Sequence, residues 1–294
     1  MKKEAIFRGV GTAVITPFRD GRIDYHTLER ITVMQTEGGA DALIFCGTTG
    51  ESSTLSAYER DRLFYYSIKI VGGRVPVILG CGSNNTKVAI SLTKKAAELG
   101  ADGALIVSPY YNKGTEDGLC LHFERIAESA DIPVILYNVP SRTGVNLSIP
   151  TLKRLARHPN VRGIKEASDS SERLIALSEL AKDLPLYAGN DSQFFLTLAL
   201  GGEGVISVAS NAYPEKMKEI YQAFSEGRIK DSLLYQTRLL PFIRACFAET
   251  SPAPIKHAMK LLGFGDGSLR LPLTEPRDDI KAIISERIAE LSEM

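Results

Sequence analysis

Ile132-Pro133-Val134-Ile135-Leu136-Tyr137 is the stretch that decides the fold. From Val134 onward every residue is apolar or aromatic, so both of the faces that alternate along an extended chain are apolar. A strand with one wet face alternates apolar with polar. One that is apolar on both faces is buried on both, as in a parallel sheet covered by helices. Runs of the same kind recur along the 294 residues at Gly9–Pro17, Ala42–Gly47, Val75–Gly82, Gly103–Ser108, Val161–Lys165, Leu184–Gly189 and Gly204–Ser207. Most start about 25 to 33 residues apart, room for one strand, one helix and their turns.

The segments between the runs carry helix-end signals. Ser56 and Glu59 form a capping box ahead of Tyr58–Phe64. Thr86 opens a helix through Ala97 that stops at Gly100, and Ser148 opens one with Pro150 in its first turn and Pro159 as its stop. Asp169 with Glu172 is expected to cap the stretch through Leu180, and Asp24 and Asp191 to cap the first and seventh helices. Eight strand–helix units predict a closed (β/α)₈ barrel. An open doubly wound sheet is the competing arrangement. It is disfavoured because no strand reads as a polar edge and no G-x-G-x-x-G opens a helix. Beyond residue 210 only helices are expected, over Pro214–Glu226, Ile229–Glu249, Pro254–Leu262 and Glu275–Glu290. The division expected is a catalytic barrel over 1–225 and a C-terminal helical region over 226–294 that serves packing and subunit contact.

Charge removes several function classes. Lys and Arg number 35 against 35 Asp and Glu, so nothing electrostatic favours nucleic acid or an anionic membrane. The longest apolar runs, under about ten residues, are too short to span a bilayer. Met1–Arg8 lacks the apolar stretch of a secretory signal, and a cytoplasmic protein is expected. Cysteines at 46, 81, 120 and 246 form no C-x-x-C pair, and Cys46 and Cys81 read as buried reduced thiols. The four histidines (26, 122, 158, 257) lack ligand spacing, so neither a metal site nor a cofactor is expected.

In such a barrel the chemistry gathers at the C-terminal ends of the strands. Lys165 is anomalous there, because an ammonium is costly in an apolar interior. Either the strand ends early and Lys165 snorkels or pairs with Glu166, or it is a desolvated amine able to attack a ketone. Gly47-Thr48-Thr49-Gly50 offers hydroxyls and exposed amides, either as a nest for a carboxylate or as a turn bonded to itself. No G-K-[ST] follows, so a phosphate loop is disfavoured. Tyr137 is a proton relay or a wet rim residue. Of Tyr110 and Tyr111, alternation lets at most one face the axis. Arg142, in a loop bounded by proline and glycine, is a carboxylate clamp or a surface arginine. Together the set matches imine chemistry on a keto acid.

Gly47-Thr48-Thr49-Gly50-Glu51, Tyr137-Asn138-Val139-Pro140-Ser141-Arg142-Thr143-Gly144 and Gly163-Ile164-Lys165-Glu166 are specific. On these motifs the chain resembles the dihydrodipicolinate synthase/N-acetylneuraminate lyase family of class I pyruvate aldolases. The likeness runs from about Gly9 to Ser210 and more loosely through the tail. The resemblance implies that Lys165 forms the imine with pyruvate. It implies that Tyr137 is the acid/base, linked through Thr48 to a Tyr111 inserted from a neighbouring subunit. It further implies that Thr49 and the turn amides hold the pyruvate carboxylate, that Arg142 meets the second substrate's carboxylate, and that Gly189 and Ile206 line the pyruvate pocket. A homotetramer, a dimer of dimers, is likewise implied.

The double threonine and the arginine loop resemble the synthase branch, since sialic acid lyases usually read GSTGE at the turn and lack that loop. The implied reaction joins pyruvate to L-aspartate-4-semialdehyde, giving 4-hydroxy-tetrahydrodipicolinate. Feedback-inhibited members hold lysine at a dimer interface with a glutamate and histidines. The matching positions here are Ala57, Arg60, Asn84, Val88 and Tyr110, so weak or absent lysine inhibition is expected. The alternatives are an aldolase of the same family for a sugar-derived aldehyde and a non-catalytic barrel that binds keto acids. The latter predicts a missing lysine or a broken tyrosine relay. A metal-dependent aldolase is disfavoured by the scattered histidines.

Overall fold

The computed structural model describes residues 3–293. Among the described residues ten strands form: β1 (Gly9–Ala13), β2 (Phe18–Arg19), β3 (Arg22–Ile23), β4 (Ala42–Phe45), β5 (Val77–Gly80), β6 (Gly103–Val107), β7 (Val134–Asn138), β8 (Val161–Glu166), β9 (Leu186–Ala188) and β10 (Gly204–Ser207). Eight of them close a barrel in the order β1-β10-β9-β8-β7-β6-β5-β4, every neighbouring pair parallel. The open sheet is therefore excluded.

Several strands are shorter than the apolar runs that predicted them. β5, β7 and β9 each begin one residue after a proline (Pro76, Pro133, Pro185), which has no N–H to give the ladder but still accepts through its carbonyl. β1 ends at Ala13, and Val14–Pro17 stays buried as a loop. The hairpin of β2 and β3 went unread in the sequence. Its turn, Asp20-Gly21, has both residues at positive φ (51° and 72°), the conformation that two-residue hairpins favour.

Strand alternation sorts the apolar residues into two nested cores. Ala42, Ile44, Ile78, Leu105, Ile135, Tyr187 and Ile206 point to the axis. Leu43, Phe45, Leu79, Ile106, Leu136, Ile164 and Val205 point outward to the helices. Phe7, ahead of β1, plugs the N-terminal mouth by stacking on Tyr187 at 4.5 Å, and the Tyr187 hydroxyl donates to the Phe7 carbonyl at 2.8 Å.

Among the described residues twelve α-helices accompany the strands: α1 (Tyr25–Glu37), α2 (Ala57–Val71), α3 (Thr86–Glu98), α4 (Glu116–Glu128), α5 (Pro140–Thr143), α6 (Ile149–Leu155), α7 (Ser171–Ser178), α8 (Phe194–Ala199), α9 (Pro214–Ser225), α10 (Ile229–Cys246), α11 (Ala253–Leu261) and α12 (Asp278–Ser292). The Ser56/Glu59 box and the Asp24 and Ser148 caps stand as expected. Three expected caps do not. Asn85, not Thr86, caps α3, and Ser170, not Asp169, caps α7. Asp191 opens a short 3₁₀ turn, Asp191–Gln193, ahead of α8, and its side chain instead accepts from the amides just after β10. The 225/226 boundary falls in the turn between α9 and α10. No helix among the described residues is long and apolar enough to cross a membrane, and all four cysteines are buried and free.

Candidate active site

β8 runs on through Lys165 to Glu166, so the lysine lies within the strand. Alternation turns the two side chains to opposite faces. Glu166, fully buried, points outward. It accepts from Asn138 Nδ2 at 2.9 and 3.1 Å, from the Ser168 amide at 3.0 Å and from Arg173 Nε at 2.9 Å. The pairing of Lys165 with Glu166 is thus ruled out. Lys165 points inward and is 5% exposed, with Nζ 4.4 Å from the centre of the Tyr137 ring. Tyr137, Lys165 and Tyr187 stand in register on three adjacent strands. Among the described residues no hydrogen bond or ion pair holds Nζ.

A cavity of about 630 Å³ opens above this amine at the C-terminal mouth. Thr48, Thr49, Tyr137, Arg142, Lys165 and Gly189 line it. Close backbone packing shapes the floor. A Cβ on Gly80 would stand 2.0 Å from the Cys46 carbonyl oxygen, so only glycine lets the Thr48–Thr49 turn fold over the end of β5. A Cβ on Gly189 would stand 2.7 Å from the Glu166 carbonyl oxygen, where the Gly189 amide donates at 2.6 Å.

Charge of both signs borders the cavity. Arg142, on α5, donates from Nη2 to the Ser251 carbonyl at 3.0 Å. Asp169 accepts from Asn190 Nδ2 at 3.0 Å. Asp191 is fully buried. Its Oδ2 accepts from the Val208 and Ala209 amides at 3.0 and 3.4 Å, while Oδ1 has no hydrogen-bond partner among the described residues. Burial pushes its carboxyl up, against the downward pull of Ser207, of those two amides and of the Lys165 charge. Among the described residues no group of three or more His, Cys, Asp or Glu is placed to hold a metal.

Two expected site residues lie elsewhere. Ile206 is in the inner core beside β1 and does not reach the cavity wall. Tyr111 is 91% exposed at a φ of 70°, and Tyr110 is also exposed, so neither faces the axis. Within one chain no hydrogen bond joins Tyr137, Thr48 and Tyr111. The sequence reading also missed part of the wall: Asp191, Val208, Arg244, Phe247, Thr250 and Ser251 line the cavity too. The last four come from α10 and the loop after it, which were read as an appendage. Asp191 had a visible signal, since it follows Gly189 at a strand's C-terminal end.

A family model described as the dihydrodipicolinate synthetase family matches residues 6–291. A 4-hydroxy-tetrahydrodipicolinate synthase of Clostridium novyi (strain NT) is 45% identical over 275 residues, 93% of each chain. The solved dihydrodipicolinate synthase of Thermotoga maritima is 41% identical, with a TM-score of 0.96 over 98% of this chain and 100% of that one. A structure described as a monomeric dihydrodipicolinate synthase variant is 41% identical, with a TM-score of 0.95 over 99% of this chain and 98% of that one. The chain belongs to the dihydrodipicolinate synthetase family.

Proposed function

We propose that this chain condenses pyruvate with L-aspartate-4-semialdehyde through an imine on Lys165, giving 4-hydroxy-tetrahydrodipicolinate for lysine and diaminopimelate biosynthesis in the cytoplasm. One observation carries the reading: a nearly buried lysine, with no ion pair to a carboxylate among the described residues, faces a cavity at the C-terminal mouth with Tyr137 beneath its amine.

The steps balance as follows. Lys165 Nζ attacks C2 of pyruvate, and the ketone oxygen leaves as water. The resulting iminium lets C3 lose a proton. The enamine carbon so formed attacks the aldehyde, whose oxygen becomes a hydroxyl. The amino group of the aldehyde substrate then attacks C2, closes the ring and frees Lys165. One water is released overall. Tyr137 takes and returns the protons, its hydroxyl unclaimed by other side chains among the described residues. Thr49 and the turn amides hold the pyruvate carboxylate, Thr48 passes protons onward, and Gly189 leaves room at the wall. Arg142 binds the carboxylate of the aldehyde. Ile206 acts from below, by packing under the strand ends. Tyr111, held outward at positive φ, completes the relay in a partner subunit's site, within a homotetramer built as a dimer of dimers.

The test is borohydride reduction with pyruvate followed by peptide mapping. A stable adduct is expected on Lys165. An adduct on another residue, or none, removes the mechanism. The sugar-aldehyde alternative is separated by Arg142, as argued in the Discussion.

A further inference from the structure

The loop that carries Thr48 and Thr49 is bounded by two non-glycine residues at positive φ, Cys46 at 56° and Glu51 at 50°. Such conformations persist only where the surroundings over-determine them. Inside the loop the bonds are few: the Glu51 amide reaches the Thr48 carbonyl at 3.0 Å and the Ser52 amide reaches Gly47 at 3.4 Å. Thr16 adds a bond from its hydroxyl to the Gly50 carbonyl at 2.7 Å.

The strongest hold comes from far along the chain. The Glu51 side chain is fully buried and points away from the cavity, and its Oε1 receives the Lys256 ammonium from α11. Its Oε2 accepts the Arg270 amide at 3.1 Å. Lys256, 2% exposed, also donates to the Ser268 carbonyl at 2.7 Å and lies 4.2 Å from the centre of the Phe18 ring. A buried ion pair is weak evidence of stability, because desolvation offsets its attraction. Its fixed geometry is what an apolar pair would not reproduce.

Resting on the function proposed above, we infer that the Lys256–Glu51 pair is a positioning device. It holds the Thr48–Thr49 turn in the shape that receives the pyruvate carboxylate, and so makes the C-terminal helices part of the substrate site. Neither residue touches substrate. Loss of the pair lets the turn relax at Glu51, which swings the Thr49 hydroxyl and the turn amides away from the carboxylate.

Three variants test this: the double Glu51→Gln/Lys256→Met, which removes the clamp without stranding a charge; Lys256→Arg, which keeps the cation and donors; and Glu51→Asp, which keeps both charges and draws the turn by one carbon–carbon bond. In the double variant the pyruvate KM is expected to rise about ten- to a hundredfold, the scale of a misplaced binding group, with kcat within about threefold. Lys256→Arg should restore most of the pyruvate affinity, and Glu51→Asp should raise KM severalfold with little change in melting temperature. A device that only stabilises the fold predicts the opposite: a lower melting temperature with an unchanged pyruvate KM. That result in the double variant, or in Glu51→Asp should the double variant not fold, overturns the inference. Borohydride trapping on the same samples keeps the two claims apart. A Lys165 adduct in the parent enzyme with unmoved KM values in folded variants sinks the clamp alone. No adduct in the parent takes both away.

Discussion

Replacing Arg142 by alanine separates recognition of the two substrates. Arg142 sits exposed at the cavity mouth on α5, anchored through Nη2 to the Ser251 carbonyl at 3.0 Å. Among the described residues its Nε and Nη1 have no protein acceptor, which leaves half of the guanidinium fork for a ligand. A hydrogen bond to a charged group contributes about 1.5–3 kcal/mol, so losing the clamp should lower kcat/KM for aspartate semialdehyde roughly 10- to 150-fold. Solvent at the rim screens the interaction, which places the effect toward the lower end and makes it shrink as salt rises. The lost bond to Ser251 should cost about 1 kcal/mol of stability or less. The assay varies aldehyde at saturating pyruvate and separately measures the rate of borohydride trapping with pyruvate alone. Trapping should stay within about threefold of the parent enzyme, because the lysine and the threonine turn are untouched. Equal losses in both measurements, or no loss in either, would refute the assignment of Arg142 to the second substrate.

Tyr137→Phe should lower kcat by about 10²- to 10⁴-fold while a Lys165 adduct still accumulates slowly, and turnover near the parent's would remove the phenol from proton transfer. Stability should fall in mild acid because of His122, which packs between α3 and α4 with Nδ1 2.9 Å from the Thr86 hydroxyl and is lowered to about 4 by burial. Its folded value lies below the unfolded one, so the unfolded chain takes up the proton first. Stability is then full above about pH 6.5 and lost, by about 2–3 kcal/mol, as pH falls toward 4. Urea unfolding at pH 7 and 5 should show this, with a shallower dependence in His122→Asn, and identical slopes in the two proteins would count against it. Free lysine should leave turnover nearly unchanged: Val88 offers no carboxylate for its ammonium, and Arg60, donating to the Ser52 carbonyl at 2.9 Å, adds like charge. Potent inhibition in a turnover assay would overturn that expectation.

The barrel was legible because burial on both faces forces a composition that no polar neighbour interrupts. Val134–Leu136 packs Val134 and Leu136 outward against helices and Ile135 inward on the axis, and both environments demand the same residue types. Helix ends were less legible, and the reason is local. Asn85 and Thr86 are both competent caps, as are Asp169 and Ser170, and which one turns its side chain back to the amides depends on the path by which the strand delivers the chain. Asp191 shows the limit of a propensity argument. A buried carboxylate between a strand end and a short helix can bond either element, and here the amides of Val208 and Ala209 on the next loop win it.

The site was legible to the extent that it is built from strand ends. Lys165 is conspicuous because a strand buried on both faces has no cheap place for an ammonium, so its presence there requires a cavity. Arg244, Thr250 and Ser251 carried no such conflict. An arginine on a helix and two hydroxyls before a proline are ordinary on any surface, and nothing local says that the helix lies across the barrel mouth. Their role depends on contacts made across more than a hundred residues of chain, as in the Arg142–Ser251 bond with its separation of 109 and the Glu51–Lys256 pair with its separation of 205. Lys256 did carry a readable conflict: Pro254-Ile255-Lys256 places a lysine in an apolar helix face, the same anomaly that singled out Lys165. The difference between the two lies in their partners. Lys256 is met by a carboxylate and a carbonyl, whereas Lys165 lies over the face of a tyrosine ring and has no hydrogen bond or ion pair among the described residues. A buried lysine in a sequence thus announces either a clamp or a nucleophile, and whether a carboxylate pairs with it directly decides which.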